Sequence, residues 1–111
     1  MTKETAVKTA SAFGGGMGRL AETCGAATGA FLALGLKYEI GDAKAKERVY
    51  GQVREFATKF KVRNKTICCR ELLGYDISTP DGSQIVSEKK LTAALCPGFV
   101  QDAAEILEEM L

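Results

Sequence analysis

The sequence predicts an all-α fold, a compact bundle of about five helices around a central apolar helix rich in glycine and alanine. Three observations predict it: apolar residues recur at helical spacing over 43–63 and again over 97–111, residues 20–36 form an apolar run without proline, and no strand-like alternation occurs. The chain has 111 residues, 46% of them hydrophobic, which fits one domain spanning 1–111. A domain of this size buries roughly two thirds of its unfolded surface, so its fold does not need cross-links.

The first element expected is a short helix over 3–13, with Ala6, Val7, Ala10 and Phe13 on one face. FGGGMG (13–18) ends it, because its glycines tolerate left-handed backbone angles. The central helix is expected over 20–36. Gly25 and Gly29 fall on one face of it, and two interior glycines, each costing about 0.5–1 kcal/mol relative to alanine, suggest a close-contact requirement. Asp42 is suited to cap a third helix over about 43–63, whose Val49, Val53, Phe56 and Phe60 step along one stripe. ICCRELLG (67–74) reads as a short helix closed by Gly74. Residues 75–85 read as a loop turning at Pro80-Asp81-Gly82, and Ser87 caps a brief turn through Leu95. The last helix is expected to start at Pro97 with Cys96 as its N-cap.

Composition excludes several function classes. The formal net charge is +1, which gives no overall bias toward nucleic acid or an anionic membrane. No apolar run is long enough to cross a bilayer, and MTKETAVKTA lacks the apolar core of a secretory signal, so a cytoplasmic protein is expected. There is no histidine, which removes imidazole triads, histidine-ligated zinc and c-type haem attachment. Nine basic residues between Lys44 and Arg70 stand against Glu47 and Glu55. The simplest reading is a solvated face balanced by Asp102, Glu105, Glu108 and Glu109. The sparse aromatics sit on the apolar stripe, so base stacking, and with it nucleic-acid binding, is not expected. GGGMG has neither the Gly-Lys-Ser/Thr ending nor the preceding strand of a phosphate loop, and is read as a tight turn.

Four cysteines remain: Cys24, Cys68, Cys69 and Cys96. In a chain without an export signal they are thiols or metal ligands before they are structural disulfides. Their separations of 44, 1 and 27 positions encode no local C-x-x-C site, so any cooperation depends on the fold. A buried cysteine also serves as a small hydrophobe, and the spacing alone leaves packing and chemistry both open. Neighbours on a helix point about 100° apart, so Cys68 and Cys69 cannot play the same part; the sequence does not choose between them. Cys96 at a helix N-terminus would be biased toward thiolate.

FGGGMGRLAETCGAATGAFLALGLKY (13–38), CRELLGYDI (69–77) and CPGFVQDAAEIL (96–107), in that order, resemble the C_GCAxxG_C_C family of redox-active proteins, with Cys24, Gly25, Ala26 and Gly29 meeting its CGAxxG element. That family is small, helical and bacterial or archaeal, and is similar to the cysteine-bearing part of split-Soret cytochromes. The resemblance implies an iron–sulfur or other redox centre held by Cys24, Cys69 and Cys96. It also implies that the family's upstream cysteine-bearing helix is missing here, so that Cys68 or another subunit would supply a fourth ligand. All-sulfur ligation favours iron–sulfur, zinc or copper(I). Without metal, the same thiols would cycle between dithiol and disulfide. Electron transfer with a redox partner protein is the function implied, and a homodimer meeting through Gly25 and Gly29 is expected. The competing reading is a non-catalytic helical interaction module with structural cysteines and a basic docking face.

Overall fold

The computed structural model describes residues 2–37 and 42–111; Tyr38, which ends the first motif run, lies outside them. Among the described residues it is all-α, with six right-handed α-helices, α1 (Lys3–Ala10), α2 (Gly25–Lys37), α3 (Ala43–Asn64), α4 (Cys69–Leu73), α5 (Pro80–Lys89) and α6 (Leu91–Met110), and a 3-10 turn at Ser11–Phe13. None is long and apolar enough to cross a membrane.

The core forms where α2, α3 and α6 meet. Ala27, Ala30 and Leu34 of α2 pack against Phe56 and Phe60 of α3 and Ala103 and Ile106 of α6. Phe56 and Phe60 are fully buried and stacked, with ring centroids 5.9 Å apart, and Phe31 meets Phe56 edge-on at 5.7 Å. Burying each such ring contributes about 1.5–3 kcal/mol. Phe56 and Phe60 of the expected stripe therefore lie in the core, Val53 packs at its margin, and Val49 is buried outside this cluster. Asp42 caps α3 as expected, its Oδ1 accepting the Ala45 amide at 2.8 Å. Gly74 closes α4 in the left-handed conformation, φ 80°.

Two residues of the basic stretch meet carboxylates of the last helix. Arg63 meets Asp102 at 3.2 Å, Glu105 at 3.4 Å and Glu109 at 3.6 Å, and Lys59 reaches Glu109 at 3.5 Å. These pairs join α3 to α6, as the balanced-charge reading requires, and take Lys59 and Arg63 out of any basic docking face.

Four expectations fail. Residues 20–24 are not helical, because the chain from Gly15 to Ala21 runs through left-handed backbone at every position but Leu20. Gly15, Gly16 and Gly18 adopt it freely, whereas Met17, Arg19 and Ala21 carry a steric cost of about 1–2 kcal/mol each. A right-handed helix cannot begin until this loop ends. Residues 80–85 are helix rather than loop: Thr79 accepts the Gly82 amide at 3.0 Å as an N-cap, and Pro80 takes the first helical position, where its missing N–H is harmless. Ser87 therefore lies inside α5 and caps nothing. The last helix starts at Leu91, after Lys90 turns the chain with φ 53°, so Pro97 sits inside α6 and Cys96 is not an N-cap. Packing of Leu91 and Cys96 against Leu73 and Val86 offsets the proline's lost hydrogen bond.

The two motif glycines also part company. A Cβ on Gly25 would come 3.1 Å from the Phe13 carbonyl oxygen, a real close approach, whereas Gly29 faces open space.

Candidate functional site

The left-handed loop delivers residues 21–24 to the segment preceding α4. Thr23 and Cys68 form an antiparallel bridge. The Cys24 amide donates to the Ile67 carbonyl at 2.7 Å, and the Cys69 amide donates to the Glu22 carbonyl at 2.6 Å. Cys24 and Cys69 are thus diagonal neighbours across the bridge, a relationship that leaves side chains within about 7–8 Å. Arg70 fastens the pairing from outside, its Nε donating to the Ala21 carbonyl at 3.0 Å and its guanidinium meeting Glu22 at 2.6 Å.

Each thiol has a distinct setting. Cys24 is buried and its carbonyl accepts the Ala27 and Thr28 amides, so it stands immediately before α2. Cys69 is buried at the first position of α4, and packs with Leu73 and Val86 in a cluster that Cys96 of α6 flanks. Gly16 supplies the other wall, where only a residue without Cβ fits beside Cys69. Cys68 precedes α4, is half-buried, and places its Sγ 3.5 Å from the Ala21 carbonyl. All four are free thiols.

Electrostatics gather them around Cys69. Burial pushes its thiol up to about 11, and the neighbouring thiols Cys24, Cys96 and Cys68 add to the rise in that order, against a smaller pull from Arg70. Cys96 is also raised, first by burial and then by Cys24. Its position inside α6 removes the helix-terminus bias toward thiolate that its expected N-cap role would have given. Near neutral pH, Cys69 and Cys96 are protonated.

The structure therefore brings Cys24, Cys69 and Cys96 into one neighbourhood, with Cys68 at its outer edge. The donor chemistry suits a soft metal. Among the described residues, however, no three cysteine, aspartate or glutamate side chains converge as a group ready to hold an ion.

Sequence reasoning missed the bridge and its clamp. Ala21, Glu22 and Arg70 build the site through backbone carbonyls and one ion pair, and no residue type announces those roles. The only signal was the glycine run before them.

No curated protein and no solved structure is matched by this chain. The family model described as "Putative redox-active protein (C_GCAxxG_C_C)" matches residues 1–110. With nearly its whole length covered, this chain belongs to the C_GCAxxG_C_C family of redox-active proteins.

Proposed function

We propose that this chain is a thiol redox protein in which Cys69 and the thiols around it, Cys24, Cys96 and Cys68, alternate between dithiol and disulfide. The observation that carries the reading is the grouping of buried Cys69 with Cys24 across the Thr23–Cys68 bridge and with Cys96 at the flank of its cluster. In the oxidising direction two thiols lose two protons and two electrons as one S–S bond forms. The electrons reduce a disulfide of a redox partner protein to two thiols. Cys68, the outer thiol of the group, forms the mixed disulfide with that partner, and a second thiol of the group, once it has given its proton to solvent, displaces the partner's sulfur as the leaving thiolate. Burial of Cys69 protects that thiol from adventitious oxidation, because it stays neutral and the neutral form is not the nucleophile.

The reading is tested by equilibrating the protein across a glutathione redox series and mapping disulfides by peptide mass spectrometry. A single two-electron transition, with Cys69 in the bonded pair, is the expected result. Independent oxidation of the four thiols, or no intramolecular disulfide, overturns it.

The all-thiol donor set favours one second reading, in which Cys24, Cys69, Cys96 and Cys68 hold an iron–sulfur cluster or zinc. A cluster would supply one-electron transfer and zinc would supply structural support. The residues' own part would be to present thiolates and exclude water. Because the described side chains do not converge, the reading requires Cys68 or Cys96 to move on binding. Anaerobic purification with metal and sulfide analysis tests it: visible charge-transfer bands with iron and sulfide select a cluster, and a colourless, metal-free protein rejects both metals.

A further inference from the structure

A second feature lies behind the thiols. A groove of about 500 Å³ opens between the left-handed loop and the corner where α5 gives way to α6. Its two charged lining residues are Arg19 and Lys90, both cations, and neither has an ion-pair partner among the described residues. Lys8, Lys59, Arg63 and Arg70 meet carboxylates; Arg19 and Lys90 differ from the other cations without an ion pair among the described residues in sharing one concave wall. Two unpaired cations on one concave wall repel each other and attract a negative group.

The backbone presents both. Arg19 and Lys90 sit at left-handed positions, φ 66° and 53°. The Arg19 side chain lies against Gly15, where a Cβ would come 2.9 Å from its Cγ and 3.5 Å from Ile77 Cδ1. The arginine stem is therefore held at the groove edge, which lowers the entropy lost on binding. Ser83, Ser87 and Thr92 add hydroxyls to the lining. The C-terminal end of α5 carries a partial negative charge at the same corner, although the Lys90 amide satisfies its Ser87 and Val86 carbonyls. The start of α6 has no side-chain cap, so its first-turn amides reinforce the positive field. The floor is apolar, and its Ile77 and Val86 belong to the cluster around Cys69.

We infer that this groove binds a small organic anion, a phosphate or carboxylate head held between Arg19 and Lys90 with an apolar body on Ile77 and Val86. The inference does not rest on thiol oxidation, and it is tested on the full chain with all four cysteines reduced. The probes are phenyl phosphate and benzoate, titrated at low ionic strength while backbone amide resonances are followed, with inorganic phosphate as the head group alone. Saturable shifts are expected at Arg19, Ser83, Ser87 and Lys90 through Ala93, with inorganic phosphate weaker than phenyl phosphate. Preference between phenyl phosphate and benzoate identifies the head group. Arg19→Gln and Lys90→Gln should each weaken binding about three- to fivefold, as expected for exposed charges. Arg19→Lys should restore most of the loss, and Lys44→Gln should leave affinity unchanged. Binding of neither organic probe, shifts spread over all basic residues, or an Arg19→Gln/Lys90→Gln double variant with unchanged affinity overturns the inference.

Discussion

Gly16 lies against Cys69 so closely that a Cβ built on the glycine would come 2.7 Å from the cysteine's own Cβ. It would also press on the Glu22 amide nitrogen at 2.8 Å, and Gly16 has φ 68°. Gly16→Ala meets both backbone strain and a clash that no side-chain rotation relieves, and should destabilise the protein by about 3 kcal/mol or more. Gly29→Ala meets nothing within 4 Å and sits inside α2, so it should stabilise by about 0.5–1 kcal/mol. Urea denaturation of the two variants checks both, and equal effects would contradict the packing described for the loop.

The thiols should differ in reactivity. With iodoacetamide at pH 8, Cys68 should be alkylated first, and Cys69 and Cys96 only slowly, as peptide mass spectrometry over time would show. Cys69 also makes stability depend on pH. In the folded chain its proton is held up to about 11, whereas the unfolded thiol releases it near 9.0. The folded state therefore binds more protons between these values, so the contribution is fully present below pH 9 and is lost as pH rises toward 11. Cys69→Ala should flatten that alkaline decline in the denaturation midpoint.

Arg70 acts on the cluster mainly by holding the bridge, beside its small pull on the Cys69 thiol. Arg70→Gln removes the Glu22 ion pair and weakens the hold on the Ala21 carbonyl, so residues 21–24 should open more often. Alkylation of Cys24 and Cys69 should accelerate several-fold while the helical circular-dichroism signal is unchanged. Glu22→Gln should reproduce part of the effect.

Pro97 is the proline inside α6, and its ring denies the helix one amide donor. Pro97→Ala should raise stability by about 2–3 kcal/mol, read as a higher thermal midpoint, provided the helix is continuous through Cys96. A fall in stability would indicate that a helix begins at this proline.

These differences mark what a sequence can and cannot disclose. Asp42, the Phe56–Phe60 face and Gly74 were legible because each acts through local chemistry: a cap, a period, a left-handed terminus. The grouping of Cys24, Cys69 and Cys96 was legible only through the order of the motifs. The non-helical run 20–24 was hidden because Met17, Arg19 and Ala21 adopt angles their residue types disfavour, imposed by the glycines around them and by tertiary hydrogen bonds. Pro97 misled for the opposite reason, a strong local signal overridden by packing of the turns before it.

The bridge at Thr23 and Cys68 has a consequence for the integrity of the site. Ala21 and Cys68 are 47 residues apart, and α2 and α3 lie in the interval, so the sulfur neighbourhood closes only when that helical hairpin has docked. Docking of distant segments, rather than any local turn, is thus what brings the sulfur atoms together, and a change that loosens the α2–α3 packing reaches the thiols without touching them.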